Sequence, residues 1–338
     1  MYSLVRPLLF TLDPERAHSL TISLLRLVGA IPTVRNLLLR YYRASSKPVH
    51  VFGLEFLNPV GLAAGYDKDG IAWKGAAALG FGHIEVGTVT LQPQQGNPTP
   101  RIFRLPAEHA LINRMGFPSR GAHFVADQIT GPRPPSLILG VNLGKNASTP
   151  IETALGDYLE LMRIFAPKAD YLVINVSSPN TVGLRRLQAR TELHALLSSL
   201  VAEREFISVQ LNRNIPLLVK LSPDLSTAEL DDALDVVLSN KLDGVVATNT
   251  TITRSGVKSA HTDQRGGLSG APLHQMSVRI IEHIHHITAG QLPIIGVGGV
   301  MDAGDAENML AAGAVLVQLY TGLVYGGPGL VNSIISSL

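Results

Sequence analysis

From residue 49 onward, the chain alternates between short, wholly apolar runs and longer stretches with apolar residues at helical spacing. The apolar runs are rich in β-branched residues and stop abruptly at small or polar residues, as strands buried on both faces do. Most are followed by a helical stretch, so the pattern predicts eight βα units. The runs cover residues 60–62, 84–87, 137–141, 172–174, 217–219, 244–247, 294–297 and 316–319.

Eight βα units predict an α/β fold, a (β/α)8 TIM barrel, with a small hairpin at 49–56 in front of it. A doubly wound open sheet is the alternative for the same alternation of elements. That fold would be favoured by a glycine fingerprint at the first βα turn, which this sequence lacks. We therefore expect a closed barrel over residues 47–338.

Two stretches within the first 46 residues have a helical pattern. Asp13 is a good N-cap, Pro14 suits the first helical position and Glu15 places an acid in the first turn. We expect a small N-terminal helical domain, residues 1–46, and both simple packing on the barrel and additional contact with a membrane surface remain open. The predicted helices are 14–28, ended by Gly29 and Pro32, and 34–42, with Arg35, Arg40 and Arg43 on its outer side.

Charge and composition narrow the possible functions. The chain of 338 residues has a net charge of +2 and no basic run interleaved with aromatic residues, which argues against a nucleic-acid partner. Its first 50 residues carry seven Lys or Arg side chains against two acidic ones, so this end is a basic, apolar patch. No apolar run approaches the roughly 20 residues of a spanning helix, and no signal-peptide pattern is present.

The chain contains no cysteine. This excludes disulfides, thiolate metal sites, cysteine-ligated iron–sulfur clusters and a cysteine base on this chain. We expect no metal site, and we expect the protein in the cytosolic compartment.

Polar or small residues follow every predicted strand. In a barrel these positions meet at one end, where barrel enzymes build their sites. One such ending would be an ordinary turn, but eight in phase predict a site for a polar ligand. The endings are 64–68, Thr88, Asn142, Asn175 with Ser177 and Ser178, Lys220, 248–250, 298–299 and 320–322.

The last two endings suggest a phosphate cradle. Glycines at 296–299 precede a helix expected from about Ala303, and Tyr320-Thr-Gly precedes the final helix. Glycine lets backbone N–H groups approach an anion, and a helix amino terminus favours the charge. Residues 266–270 offer further amides. A phosphorylated ligand of this kind fits a phosphate-binding isomerase as well as a flavoprotein.

Taken together, these segments resemble the dihydroorotate dehydrogenases over nearly the whole chain. Ser178 stands in the base position, where the soluble class carries cysteine, so the chain is most similar to the membrane-associated, quinone-using class 2 enzymes of bacteria. The motifs that carry the resemblance are Asn58-Pro-Val-Gly-Leu-Ala-Ala-Gly65, Asp67-Lys-Asp-Gly70, Glu85-Val-Gly-Thr-Val-Thr90, Asn113-Arg-Met-Gly-Phe117, Asn175-Val-Ser-Ser-Pro-Asn180, Thr248-Asn-Thr-Thr251, Gly266-Gly-Leu-Ser-Gly270 and Gly296-Val-Gly-Gly299.

The resemblance implies oxidation of (S)-dihydroorotate to orotate in pyrimidine (UMP) biosynthesis. FMN would take the hydride, and a quinone would reoxidise the reduced FMN. Ser178 would be the catalytic base. Because an isolated serine is a poor base, it would pass the proton to water or to a neighbouring hydroxyl such as that of Thr181. The resemblance implies that the N-terminal helices contact a membrane surface. It implies no iron–sulfur partner subunit. The location implied is the cytoplasmic side of the bacterial cell membrane, as a peripheral protein.

The resemblance also assigns binding residues. The substrate would contact Lys68, Asn113, Arg114, Met115, Gly116, Phe117, Asn175, Asn180, Asn249 and Thr250. FMN would contact Ala64, Gly65, Tyr66, Asp67, Lys68, Thr88, Asn142, Asn175, Lys220, Thr248, Gly270, Gly299, Tyr320 and Thr321, with Lys220 near flavin N1. The quinone would lie near His18, Arg101 and Tyr320.

Two residues depart from the family pattern. Tyr66 stands where Leu or Phe is usual, and it adds a hydroxyl beside the flavin site. Val182 replaces the usual Pro in the loop after the base, which should loosen that loop slightly. Neither change removes a residue with a catalytic role.

The main rival is an aldolase-type barrel in which Lys220 forms a Schiff base. Inosine-monophosphate dehydrogenases need a cysteine that the chain lacks, and hydroxy-acid oxidases need a histidine at a strand end, where none is found. A non-catalytic membrane-binding module would leave the eight strand endings unexplained.

Overall fold

The computed structural model describes residues 2–42, 46–134, 136–259 and 261–338. Eight parallel strands close into a barrel in these ranges, which confirms the predicted (β/α)8 fold. Each predicted run coincides with a barrel strand, with ends that differ by at most two residues. The strands are β1 Val49–Val51, β2 Leu54–Phe56, β3 Val60–Leu62, β4 His83–Val89, β5 Ile102–Leu105, β6 Ala110–Asn113, β7 Ile138–Leu143, β8 Tyr171–Asn175, β9 Leu217–Leu221, β10 Gly244–Ala247, β11 Gly267–Gly270, β12 Ile294–Val297 and β13 Leu316–Leu319.

The barrel order is β3, β4, β7, β8, β9, β10, β12 and β13, with β13 returning to β3. Helices pack outside the barrel on a continuous apolar layer. The helices are α1 Tyr2–Thr11, α2 Pro14–Ala30, α3 Pro32–Tyr41, α4 Trp73–Ala77, α5 Ala122–Gln128, α6 Ala154–Phe165, α7 Arg190–Leu211, α8 Thr227–Ser239, α9 His274–Ile287, α10 Ala303–Ala311, α11 Thr321–Gly326 and α12 Leu330–Ser337.

The predicted hairpin is formed by β1 and β2, and it closes the amino-terminal end of the barrel. The ring of Phe56 meets that of His83 edge to face, with centroids 5.4 Å apart. His83 and Tyr171 stand against glycines: a Cβ on Gly61 would lie 2.0 Å from His83 Nε2, and one on Gly140 would lie 2.2 Å from Tyr171 Cζ. These distances exclude any side chain, so the three rings form a solid plug.

A second, antiparallel sheet of β5, β6 and β11 was not predicted. It joins distant parts of the chain, because Gly267 in β11 pairs with Asn113 in β6. Residues 113–117 and 266–270 were singled out as motifs without being assigned to strands. Their pairing brings both motifs to the same side of the barrel mouth.

The N-terminal helices differ from the prediction in three ways. Helix α1 was not expected. Helix α2 runs through Gly29 to Ala30, so the predicted end at Gly29 is wrong. Helix α3 begins at Pro32 rather than at 34, because proline is well suited to the first helical position. It ends at Tyr41. Arg43, predicted on the outer side of that helix, lies outside the described residues.

Helix α2 is held closely against the barrel. Asp13 caps it by accepting hydrogen bonds from the N–H groups of Glu15 and Arg16, both at 3.0 Å. Gly75 in α4 allows the close approach, since a Cβ there would lie 1.9 Å from the carbonyl oxygen of Leu25. Within the described part of the chain no single helix is long and apolar enough to cross a bilayer, and α2 and α3 reach that length and hydropathy only when taken together, as a pair bent by 106°.

Candidate active site

A cavity opens among the carboxyl ends of the barrel strands. The cavity and its open mouth hold about 970 Å³ free of protein atoms. It brings together most of the residues predicted from the sequence. Those that line it are Ala64, Gly65, Lys68, Thr88, Asn113, Met115, Gly116, Phe117, Asn175, Ser178, Asn180, Lys220, Thr248, Asn249, Thr250, Gly270, Gly299, Tyr320 and Thr321.

Four residues predicted to contact the substrate or FMN lie outside this lining, namely Tyr66, Asp67, Arg114 and Asn142, as do the predicted quinone residues His18 and Arg101. The Asp67 carboxylate accepts from the N–H groups of residues 71 and 72, and burial raises its pKa to about 6. Arg114 donates to Gln264 Oε1 at 2.8 Å. Asn142 lies one layer below the cavity, and Tyr66 packs between the barrel and α2. These four residues support the site from behind its walls.

The lining residues Thr88, Asn175 and Asn249 form a connected set with Asn142 and Ser177, which do not line the cavity, and we term this set the amide network. Asn175 Nδ2 donates to Thr88 Oγ1 at 2.9 Å and to Asn142 Oδ1 at 3.1 Å. Thr88 Oγ1 donates to the same Asn142 oxygen at 2.6 Å. Asn249 Nδ2 donates to Asn175 Oδ1 at 3.3 Å and to Ser177 Oγ at 3.0 Å. Buried networks that are satisfied in this way hold their members in fixed orientations.

Ser178 follows β8 by three residues and is 5% exposed. Its Oγ accepts a hydrogen bond from the N–H of Asn180 at 3.3 Å. Asn180 Nδ2 in turn donates to Asn113 Oδ1 at 3.2 Å, so both asparagines stand beside the serine at the cavity wall. The hydroxyl of Thr181 is buried and has no hydrogen-bond partner among the described residues.

The loop after Ser178 contributes Asn180 to the cavity wall and is anchored by Arg185. The guanidinium donates to the Ser177 carbonyl at 3.1 Å and pairs with Asp224 at 2.8 Å. Val182, at the tip of this loop, is 95% exposed. The loop is therefore fixed at its base and free at its tip, as a lid would be.

Two lysines supply positive charge to the cavity. Lys220 in β9 is 5% exposed. Its ammonium group has no hydrogen bond or ion pair with any described residue. Burial lowers its pKa, and the negative charge of Glu85 opposes that shift. Lys68 Nζ donates to the Gly65 carbonyl at 2.6 Å. Burial lowers the pKa of Lys68 to about 8, partly offset by Asp69.

Three glycines shape the wall opposite the lid. Gly270, Gly298 and Gly299 have φ angles of +97°, +128° and +79°, which other residues rarely adopt. A Cβ on Gly299 would lie 2.5 Å from the backbone nitrogen of His274. Nearby, the hydroxyls of Ser269 and Thr321 lie 2.8 Å apart. Backbone and small hydroxyl groups thus form an open cradle, and the donors it offers fit a phosphate.

Comparison with known proteins identifies the family. A family model described as dihydroorotate dehydrogenase matches residues 47–338. The chain belongs to the dihydroorotate dehydrogenase family. A protein of Acidithiobacillus ferrooxidans named dihydroorotate dehydrogenase (quinone) is 48% identical over 342 residues, covering 100% of this chain and 94% of that one. A protein of Nitrosospira multiformis with the same name is 47% identical, covering 99% and 94%.

Solved structures agree. The crystal structure of the Eimeria tenella dihydroorotate dehydrogenase in complex with ferulenol has a TM-score of 0.87 at 38% identity, covering 96% of this chain and 90% of that one. The ligand-free form of the Eimeria tenella enzyme gives a TM-score of 0.86. The similarity therefore covers the N-terminal helices as well as the dihydroorotate dehydrogenase barrel.

In this member of the dihydroorotate dehydrogenases, an aromatic row joins α2 to the cavity. The rings of His18 and Tyr66 have centroids 5.2 Å apart, and those of Tyr66 and Tyr320 are 5.6 Å apart. Burial lowers the pKa of His18 to about 3, with Lys68 adding to the effect, so the imidazole is neutral at ordinary pH. Two of the predicted quinone residues thus stand in one row, with Tyr66 between them.

Arg101, the third predicted quinone residue, is engaged with α2. Its guanidinium pairs with Glu15 at 2.7 Å and donates to the carbonyls of Gln95 at 2.6 Å and Asn97 at 2.9 Å. The pair ties the second residue of α2 to the segment before β5. Arg101 therefore fixes the helix beside the mouth of the dihydroorotate dehydrogenase cavity.

Several lining residues were missed from the sequence. Most are apolar or small, and nothing in the pattern separates them from core residues. Gln318 is the exception, because a polar side chain in the apolar run of β13 is a signal of interior function. The missed lining residues are Leu273, Val300 and Gln318, whereas Ala63, Ser269, Val297, Gly298 and Gly322 lie in segments that the sequence singled out without assigning those residues to a ligand.

Proposed function

We propose that the protein oxidises (S)-dihydroorotate to orotate in pyrimidine biosynthesis, with FMN as its flavin and a quinone as electron acceptor. The observation that carries the proposal is the cavity that joins Ser178, paired asparagines and the unpaired Lys220 in one space. The reaction removes a proton from C5 and a hydride from C6 of the substrate. It needs a base, an electron acceptor and an anion-binding wall, and the cavity offers residues for each.

FMN fits the wall formed by β9, β12 and β13. When bound, it supplies the group that accepts the hydride. Lys220 would face the pyrimidine edge of the flavin, where negative charge develops, and its lack of another partner supports this role. The cradle of Gly270, Gly299 and Thr321 would hold the phosphate. Thr88, Thr248 and Tyr320 line the space between these two ends.

Dihydroorotate has amide edges and a carboxylate. Asparagine matches amide edges because it both donates and accepts hydrogen bonds. We assign Asn113, Asn175, Asn180 and Asn249 to those edges, and Lys68 to the negative charge. All five line the cavity beside Ser178.

Ser178 is assigned the role of the base that takes the C5 proton. Its burial at the cavity wall supports contact with the substrate. Thr181 is assigned to pass the proton on, supported by a buried hydroxyl that has no other partner among the described residues. The lid residues from Val182 to Arg185 would exclude bulk water from the site.

The quinone is assigned to the side of the cavity next to α2. Relatives that match the full chain are named dihydroorotate dehydrogenase (quinone). The aromatic row of His18, Tyr66 and Tyr320 offers an apolar path from α2 to the flavin site. Residues 1–46 would form the quinone-access domain and 47–338 the catalytic barrel, and the family model begins at residue 47.

We further propose that the protein lies on the cytoplasmic face of the bacterial membrane. Exposed leucines on α1, α2 and α3 support this, since a group of exposed apolar side chains is unfavourable in water and favours contact with a membrane or another protein. They include Leu4, Leu8, Leu24, Leu27 and Leu37, each more than half exposed. A groove between α2, α3 and the barrel adds cationic residues that suit anionic lipids, including Arg26, Arg35 and Lys74.

Anaerobic mixing of the purified yellow protein with dihydroorotate tests the proposal. Bleaching of the flavin, followed by return of its colour with a quinone and not with NAD, is the expected result. Absence of bleaching would reject the dehydrogenase reaction, and return of colour with NAD would reject the quinone. A colourless protein trapped on Lys220 by borohydride with a carbonyl substrate would favour the Schiff-base aldolase instead.

A further inference from the structure

Glu85 in β4 is a fully buried carboxylate at the base of the amide network. Its Oε1 accepts a hydrogen bond from Asn142 Nδ2 at 2.7 Å. Its Oε2 accepts from Gln318 Nε2 at 2.8 Å and, more weakly, from the Tyr171 hydroxyl at 3.4 Å. Both oxygens therefore face donors, which is the arrangement expected for an ionised carboxylate.

A carboxylate can only accept, and this fixes the direction of every bond above it. Because Asn142 turns its Nδ2 to Glu85, its Oδ1 must accept from Thr88 and Asn175. Asn175 uses its Nδ2 in those bonds, so its Oδ1 faces Asn249 Nδ2. A neutral amide in place of Glu85 would impose no direction, since either end of the Asn142 amide could pair with it.

We propose that Glu85 is a positioning residue that sets the donor and acceptor direction of the amide network, and through it the recognition of the substrate's amide edge. The inference rests on the proposed function, because it takes dihydroorotate and orotate as the ligands of Asn175 and Asn249. Glu85 itself does not line the cavity and acts through Asn142.

Glu85 also acts on Lys220. Burial disfavours the charged form of Lys220, and Glu85 is the anion that opposes this effect. Lys220 has no direct partner among the described residues, so a buried carboxylate below the cavity helps to keep its ammonium charged. Both effects of Glu85, on direction and on charge, require an acidic group at this depth.

Three variants separate this role from simple packing. Glu85→Gln keeps the shape and loses the acceptor-only character. Glu85→Gln combined with Gln318→Glu moves the carboxylate from β4 to β13, on the far side of β3. The carboxylate at 318 can only accept hydrogen bonds, so the N–H₂ of the amide introduced at 85 donates to it. The oxygen of that amide then faces Asn142 and accepts from its Nδ2, as Glu85 does in the wild type. Tyr171→Phe removes only the weakest donor and is the matched control.

Orotate affinity, read from the change in flavin absorbance, is the measured quantity, with thermal denaturation of each holoprotein beside it. We expect Glu85→Gln to weaken orotate binding at least about tenfold, since one misdirected buried hydrogen bond has an effect of this order. The exchange variant should recover to within about threefold of the wild type, and Tyr171→Phe should stay within about twofold.

Orotate binding by Glu85→Gln within about twofold of the wild type would overturn the inference. So would an exchange variant that binds as weakly as Glu85→Gln. If Glu85→Gln does not yield a folded holoprotein, orotate binding by the exchange variant is the test. Binding within about threefold of the wild type supports the inference, and binding at least about tenfold weaker overturns it. Failure of the proposed function would look different, because the wild-type protein itself would then neither bind orotate nor bleach with dihydroorotate.

Discussion

At the scale of single residues, the chemistry depends on side chains that lack a partner in the free protein. Lys220 is buried without a hydrogen bond or ion pair among the described residues, and the Thr181 hydroxyl is buried without a partner there. Leaving such groups unpaired costs stability. That cost is recovered when a ligand supplies the missing partners, so these residues mark where FMN and substrate are expected to bind.

Ser178→Ala tests the base directly. The variant should keep FMN and its spectrum but bleach with dihydroorotate about 10² to 10⁴ times more slowly, which is the usual contribution of a positioned base. Anaerobic stopped-flow absorbance measures this rate. Ser198→Ala, on the exposed side of α7, is the control and should match the wild type. Bleaching of Ser178→Ala at the wild-type rate would remove Ser178 from the mechanism.

Lys68 gives a pH-dependent prediction. Its ammonium is charged below its pKa of about 8 and neutral above it, so binding of the orotate anion should weaken as the pH rises through that value. Flavin absorbance titrations with orotate from about pH 6.5 to about 9.5 follow the change. Lys68→Gln should bind about tenfold more weakly at neutral pH and show no break near that pKa. A wild-type affinity that is constant across the range would contradict the assignment.

At the scale of elements, the barrel strands could be predicted because each is a continuous apolar run followed by polar residues. The sheet of β5, β6 and β11 could not, because its strands are short and its partners lie far apart, as in the pairing of Asn113 with Gly267. Helix α1 was missed since it contains Pro7 and no acid in its first turn. Local patterns thus predicted elements that the chain forms locally, and failed where distant segments pair.

The same limit applies to the site. Ser178, Lys220 and the asparagines could be predicted because their positions after strands put them at one end of the barrel. The direction of the amide network could not, because it depends on Glu85 meeting Asn142 and Gln318 from three different strands. The contact of His18 with Tyr66 also required the packing of α2.

The docking of α2 should depend on pH through His18. Its pKa is about 3 in the folded protein against an ordinary value of 6.5, so a released helix binds a proton more readily. The stabilisation from neutral His18 is complete above about pH 6.5 and is lost as the pH falls toward 3. The charged group that acts on His18 is Lys68, and it also lowers the pKa of His18.

Hydrogen exchange of the α2 amides at pH 7 and at about pH 5, corrected for the intrinsic effect of pH, measures this docking. The lower pH should increase opening of α2 in the wild type. His18→Phe keeps a ring against Tyr66 and should remove the difference. An equal increase in His18→Phe would show that another group is responsible.

At the scale of the whole molecule, the helical layer and the barrel are expected to serve different half-reactions. Deletion of residues 1–46 should leave bleaching by dihydroorotate near the wild-type rate and slow the return of colour with a lipophilic quinone by at least about tenfold. Anaerobic spectra of both steps measure the two rates. Equal damage to both steps would refute the division.

A variant that keeps the helices tests the membrane contact separately. Leu24→Glu with Leu27→Glu puts two charges on the exposed apolar side of α2, where these residues are 54% and 57% exposed. Flotation with anionic vesicles should lose this variant and retain the wild type, while bleaching stays unchanged. Flotation of both proteins would place the membrane contact elsewhere.

The plug of Phe56, His83 and Tyr171 has a consequence for engineering. Because a methyl group on Gly61 or Gly140 has no room, that end of the barrel tolerates almost no redesign. The opposite end is built from loops and from the helical layer, whose α2 packs closely on α4. A designer who wishes to change the oxidant could therefore vary the helical layer together with its contact on α4 and leave the sealed end untouched.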